Sequence, residues 1–354
     1  MSTNELIPLQ PKGELALPQD LLHKAKDYAV HSRSERTRKR YAECWRDFTR
    51  WCDFNGRDPL PAGVETVIGY LTWMAAGRND GKPLAMNTIG QARAAVILAQ
   101  RTAGFAFDSD NQILKEVMAG IRRSIAKERT IRRVKPVTQE DLRDMLDGLN
   151  PAVLREARDA ALLSLGWAAA LRRSELVSLD LGKLGDGGGF VVADEKGLTI
   201  TLMTSKASQD TAQTIAVPRT FAPQLCDAVE NWVRVAAIQL GESLFRGIEG
   251  KAGGKTVAAG RLDDGTVARI IKRRIQLLAR AKGRKRLTKA ETAALVAQFS
   301  GHSMRVGFVT SAAERDIPTH RIREQTRHKS DQMVSLYIRD TDKFRNNSLK
   351  GLGF

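Results

Sequence analysis

The residues best suited to chemistry stand late in the chain: Ser300-Gly-His-Ser-Met-Arg305, then His328, then Leu336-Tyr337-Ile338-Arg339. Their spacing is definite, with 3 positions from His302 to Arg305, 23 from Arg305 to His328 and 9 from His328 to Tyr337. Upstream lie Ala170-Leu-Arg-Arg-Ser-Glu175-Leu and Thr204-Ser-Lys206. Together these side chains could attack a phosphodiester. A guanidinium fork grips nonbridging phosphate oxygens bidentately and stays charged at any working pH, so Arg305 with either Arg172 or Arg173 can meet the charge that develops there. A phenol whose ordinary pKa is about 10 is a weak nucleophile at neutral pH and needs a nearby base or a positive field. An ammonium on a mobile turn can protonate the leaving oxygen. A phosphotyrosine bond retains the energy of the phosphodiester, so rejoining would need neither ATP nor a metal. Tyr337 is one of four tyrosines, and the other three are at or before residue 70.

The elements that must position these residues are legible as periodicities. From Ser34, a plausible N-cap, to Cys52 the apolar residues Tyr41, Cys44, Trp45, Phe48, Trp51 and Cys52 recur at helical steps. Further helices are predicted over 63–76, 84–103 and 111–126, making a small helical bundle after a flexible arm at 1–20. The charged stretch 127–136 ends in Pro136 and reads as a linker between a domain at 21–126 and a second at 137–338. In the second, helices are expected at 138–148, 151–169 and 171–179, then three short β-branched strands at 190–193, 198–203 and 214–217. Helices resume at 221–239, 264–282, 288–298, 303–314, 318–326 and 330–338. The fold class is therefore mainly α with a small antiparallel β-sheet. Lys206 would follow the second strand, and Tyr337 would lie on the last helix.

This ordered set, Arg172, Lys206, His302, Arg305, His328 and Tyr337, resembles that of the tyrosine recombinase, or phage integrase, family, over about residue 15 to the C-terminus. The family pattern Leu-Arg-x-x-Glu selects Arg172 over Arg173 and puts Glu175 in the supporting acidic position. The resemblance implies that Arg172 and Arg305 clamp the phosphate, His302 is the base, His328 donates to the phosphate, Lys206 protonates the leaving 5′ oxygen and Tyr337 is the nucleophile. One branch of the family has tryptophan where His328 stands, whereas most members have histidine. Also implied are an all-helical core-binding domain and a mixed α/β catalytic domain forming a C-shaped clamp on double-stranded DNA. The recognition site would be specific and an inverted repeat, with a dimer per site and a homotetramer on two sites. The tail at 339–354 would dock on a neighbouring protomer. A bacterial, phage or plasmid origin and a cytoplasmic location on DNA follow in the same way. A type IB topoisomerase uses similar residue types, but the helical N-terminal half favours strand exchange.

Bulk composition points the same way. The chain of 354 residues carries 57 Lys and Arg against 40 Asp and Glu, a net charge of +17 that suits a polyanionic partner. Residues 1–132 hold 21 basic and 15 acidic side chains, and residues 133–354 hold 36 and 25, so both parts are positive. Candidate DNA contacts are Arg36, Arg38, Lys39 and Arg40 on the first helix, and Asn87, Gln91 and Arg93 on the third. In the second domain Arg269, Lys272, Arg273 and Arg274 share a strongly basic helix. Most would bind phosphate, while Asn87 and Gln91 could pair bidentately with adenine. The start Met-Ser-Thr-Asn-Glu-Leu lacks the features of a secretory signal, and no run approaches a membrane span. Cys44, Cys52 and Cys226 form no metal-ligand spacing and read as buried thiols. Gly254-Lys255-Thr256 fails as a phosphate loop because Glu249 stands where the first glycine is required. Neither a cofactor nor a metal is expected.

Overall fold

The computed structural model describes residues 20–21, 24, 35–78, 81–128, 134–203, 212–250, 256–282, 288–328 and 330–338. The chain divides into two compact units, Met1–Ile131 and Arg132–Phe354. The arm, the proposed cap Ser34, most of the linker's centre and the tail 339–354 lie outside the described residues.

In the first unit, helix α1 (Glu35–Phe54) buries Cys44, Phe48 and Cys52, which recur every four residues and so form one stripe. That stripe meets Val67, Tyr70, Leu71 and Met74 of α2 (Val64–Ala75), Ile89, Ala92 and Val96 of α3 (Met86–Thr102), and Leu114 and Met118 of α4 (Gln112–Glu128). Two buried polar groups are satisfied within this core. Gln100 accepts from the Ala62 backbone N–H at 3.2 Å and donates to the Pro59 carbonyl at 3.0 Å, which pins the α1–α2 connection. The Tyr70 hydroxyl donates to Asp47 at 2.8 Å, and burial with that bond pushes its pKa upward, so this tyrosine is held protonated.

The second unit starts with a segment laid along its own core: Lys135 N donates to the Gln298 carbonyl at 2.9 Å and Val137 N to the Ser303 carbonyl at 3.0 Å. Helices α5 (Gln139–Asp147), α6 (Leu154–Ala168) and α7 (Arg173–Val177) follow. The α5 start is a capping box in which Thr138 and Asp141 each satisfy the other's backbone N–H. A four-stranded sheet comes next, in the order β1 (Leu179–Leu181), β2 (Gly189–Asp194), β3 (Gly197–Leu202), β4 (Gln213–Pro218). The three expected strands are β2, β3 and β4, paired antiparallel. The structure adds β1, parallel to β2, and a hairpin of β5 (Arg246–Glu249) and β6 (Thr256–Arg261). Neither addition has a sequence signal, because β1 is three residues long and β5–β6 is rich in glycine, alanine and charge. Asp180 of β1 is fully buried and is held by Arg261 of β6 at 2.7 Å and by the backbone N–H groups of Gly185 and Gly187.

Helices α8 (Pro223–Val235), α9 (Asp264–Lys282), α10 (Lys289–Ala297), α11 (Ser303–Ala313), α12 (Thr319–Thr326) and α13 (Asp331–Ile338) complete the unit. The core joins Leu162 and Leu165 of α6 to Ile200, Trp232, Ile271 and Met304. At Gly307 of α11 an added Cβ would lie 1.7 Å from the Val137 carbonyl oxygen, so only glycine lets this helix approach the 134–138 segment so closely. All three cysteines are buried and free, and burial pushes their pKa values up, that of Cys52 to about 11. Among the described residues no helix is long and apolar enough to cross a membrane, and no cluster of His, Cys, Asp and Glu could hold a metal ion.

Candidate active site

The site is assembled where α6 gives way to α7. Helix α6 ends, Ala170 turns into the left-handed region (φ +46°), and Arg172 becomes the residue that precedes α7. Glu175, three residues on, reaches back to accept from the Arg172 backbone N–H at 2.9 Å and from its Nη1 at 2.5 Å. The neighbouring Arg173 goes elsewhere. Its Nε lies 3.2 Å from Asp264 Oδ2 and its side chain covers Gly301. The two adjacent arginines therefore point to different partners, and only Arg172 shares Glu175.

Helix α11 brings the second group. Ser300 and Ser303 bracket the turn that starts it, with Ser300 N donating to Ser303 Oγ at 2.9 Å and His302 N to Ser300 Oγ at 3.1 Å. One turn later Arg305, 1% exposed, donates from Nη1 to the Ala170 carbonyl at 2.7 Å. A buried guanidinium thus sits against the left-handed turn that precedes Arg172. Burial first, then the charges of Arg305 and Arg172, hold His302 below the usual histidine pKa, so its imidazole is neutral at pH 7.

His328 enters from the end of α12. It is buried beside Thr326, whose hydroxyl donates to the Ile322 carbonyl at 2.6 Å and stands 2.7 Å from His328 Nδ1. Which of the two groups donates in that contact is set by the imidazole tautomer. Burial, and after it Arg305, Arg172, His302 and Arg327, lower its pKa to about 3. Arg327, between Thr326 and His328, is also buried and donates from Nη2 to Glu175 Oε2 at 3.0 Å. Burial alone would raise the Glu175 pKa, but Arg327 and the backbone and guanidinium of Arg172 outweigh it and hold the carboxyl below its usual value. The pocket thus gathers three guanidinium groups, one carboxylate and two neutral imidazoles.

Tyr337 lies in the last turn of α13, which packs on α11 and α12 through the fully buried Val334. Its side chain lies outside the described residues, as does the whole of Lys206. Sequence reasoning missed Arg327 and Thr326. Neither carries a local signal, because an arginine and a threonine at a helix end are ordinarily solvated.

The residues proposed for DNA contact are distributed over both units. Arg36, Arg38, Lys39 and Arg40 are exposed on the first turns of α1, with Lys39 paired to Glu35 at 2.7 Å and Arg40 to Glu43 at 3.0 Å. Asn87 and Gln91 are exposed on α3, and they border a cavity of about 750 Å³ together with Tyr41, Arg93, Arg101 and Arg122. Arg93 is half-buried and donates to the Ser109 carbonyl at 2.7 Å. On α9, Arg269 and Arg273 are exposed and Lys272 is half-buried. Arg274 departs from the expected basic surface. It is 4% exposed, on the same face as Ile270, Ile271 and Ile275, and its Nη2 donates to the buried Asp159 at 2.6 Å.

Residues 135–343 match the model of the phage integrase family. The chain is 33% identical over 335 residues to an integrase/recombinase XerD homolog of Selenomonas ruminantium, an alignment covering 92% of this chain and 88% of that protein. The chain belongs to the phage integrase family. It is a tyrosine recombinase, a site-specific DNA recombinase that cuts and rejoins strands through a phosphotyrosine. The Cre recombinase of Escherichia phage P1 is a more distant relative of this recombinase, 24% identical with 87% of this chain and 85% of that one covered. Among solved structures, a lambda integrase dimer bound to a COC′ core site superposes with a TM-score of 0.50 at 16% identity, covering 92% of this chain and 96% of that one. This likeness shows the shared fold, mainly helical with small sheets.

Proposed function

We propose that Tyr337 is the nucleophile of this recombinase and that Arg172 and Arg305 hold the phosphate it attacks. The Tyr337 oxygen bonds to phosphorus and the bond to the 5′ oxygen breaks, leaving a 3′-phosphotyrosine. His302, neutral at pH 7, takes the phenolic proton. Lys206 gives a proton to the departing 5′ oxygen. Attack by the 5′ hydroxyl of a partner strand reverses each transfer, so the bond is rejoined without an outside energy source. Glu175 orients Arg172 through the 2.5 Å contact with its Nη1. His328 donates from its ring to a nonbridging oxygen.

The single observation that supports this reading most is that Arg172, Arg305 and His302 gather about His328, with Arg172 held by Glu175 and the Tyr337 helix packed on the helix that bears Arg305. We read the two positive units as gripping one duplex, with the α1 cations, Arg93 and the α9 cations Arg269, Lys272 and Arg273 on phosphates and Asn87 and Gln91 on bases. The site is an inverted repeat that binds a dimer, as a lambda integrase dimer binds its core site. Two such sites join in a tetramer through the 339–354 tail.

The test is covalent capture. Purified protein is mixed with sheared DNA of the source organism, adducts are collected under denaturing conditions, and the trapped junction is sequenced. One recurrent junction joined to the protein is the expected result. Adducts that persist with Tyr337→Phe overturn the nucleophile assignment.

A further inference from the structure

Arg327 is costly where it stands. It caps α12 with φ +56° and ψ 44°, a left-handed conformation that strains any residue with a Cβ and that glycine adopts freely. Its side chain is 5% exposed, and its Nε and Nη1 are buried without a hydrogen-bond partner. A strained backbone and an incompletely paired buried cation both oppose folding. Glycine at this corner would avoid both penalties, but it would give up the ion pair with Glu175.

Among the described residues its side chain makes one hydrogen bond, from Nη2 to Glu175 Oε2. Glu175 has its other oxygen on Arg172 Nη1 and shares Oε2 with the Arg172 backbone N–H. The carboxylate is thus gripped from two sides, and its orientation sets that of the Arg172 fork. The residues around Arg327 fasten the same corner. Gln325 Nε2 donates to the Ala168 carbonyl at 2.8 Å and the Ala216 carbonyl at 3.2 Å, and Thr326 holds His328. Helix α13, which carries Tyr337, starts three residues after His328.

We infer that Arg327 is a positioning residue for strand cleavage: by clamping Glu175 it aligns the guanidinium of Arg172 and ties the corner that leads to the Tyr337 helix to the same carboxylate. It acts through Glu175 and need not touch DNA. The inference rests on the functional reading above.

The experiment uses the full chain and a nicked duplex carrying the junction sequence captured by the wild type. Three quantities are read: affinity by gel shift, the single-turnover rate of adduct formation at saturating protein, and Tm. Arg327→Gly is expected to bind within about threefold of wild type and to stay folded at the assay temperature, while forming adduct roughly tenfold or more slowly. Arg327→Lys restores part of the rate, because an ammonium can still reach the carboxylate as a point charge. In a Glu175→Gln background, adding Arg327→Gly slows the reaction no further, as expected for residues that act as a unit. A wild-type rate in Arg327→Gly overturns the inference. So does a lowered Tm or weakened binding that accounts for the slower rate, or an undiminished slowing in the Glu175→Gln background. Absence of any adduct with the wild type would instead overturn the functional reading itself.

Discussion

Arg172 and Arg305 both present guanidinium groups to one pocket, but they are held differently. Arg172 is about a quarter exposed and leans on a carboxylate, whereas Arg305 is buried and leans on a backbone carbonyl. Arg172→Ala should leave DNA affinity nearly unchanged and slow adduct formation by on the order of 10²- to 10³-fold, the usual cost of removing a donor to transition-state charge. Adduct formation near the wild-type rate would move the phosphate clamp elsewhere. Arg172→Lys should recover little, because a point charge cannot replace the fork. His328 makes a second prediction, about pH. The unfolded chain protonates this ring below about pH 6.5, while the folded chain resists until about pH 3, so the unfolded state binds more protons throughout that window. Stability therefore falls as pH drops through it, by about 2 kcal/mol from this residue by pH 5. His302 is shifted in the same direction and adds to the loss. Urea unfolding at pH 7 and pH 5 should show a smaller loss in His328→Gln than in wild type, and equal losses would mean that the ring is not held neutral.

Helix α11 decides whether these groups meet at all. It begins at the His302 turn, carries Arg305 on its first turn, and supports α13 through Val309 and Val334. Its position is set from the other side by Gly307 against Val137 and by Met304 against Gly166. The two glycines should respond differently to a methyl group. Gly307→Ala meets backbone at 1.7 Å and is expected to destabilise the protein by at least about 2 kcal/mol. Gly166→Ala meets the flexible end of Met304 at 2.6 Å, and the gain in helix propensity of about 1 kcal/mol offsets much of the repacking. Denaturant midpoints of the two variants test this. A Gly307→Ala protein as stable as wild type would show that α11 can move away from the 134–138 segment.

The positive charge is spread over both parts of the chain, so affinity for DNA should be dominated by phosphate contacts. Binding is expected to weaken by roughly 10³- to 10⁵-fold between about 50 and about 200 mM salt if about six to ten phosphates are neutralised. Anisotropy titrations across that range measure the slope directly. A slope near zero would remove the electrostatic account of binding. Not every cation contributes, since Arg274 is committed to Asp159 inside the second unit. Charge counts along the sequence therefore overstate the surface available to phosphate.

Much of this fold and site is written in the sequence. Apolar spacing is a local property, and it placed α1 and the helices of the second unit close to where they fold, because a stripe every three or four residues can be buried only on a helix. The order of arginines, histidines and tyrosine likewise pointed to phosphoryl transfer, since those side chains have few other joint uses. What could not be read were contacts between distant segments. Arg327 and Glu175 are 152 residues apart and meet only because α7 and the α12–α13 corner converge. The same holds for Arg274, whose burial depends on Asp159 of α6, 115 residues away. The short strand β1 is defined by its partner rather than by its own three residues. A side chain's charge is written in the sequence, but whether it faces water, DNA or another buried charge is set by the packing that surrounds it.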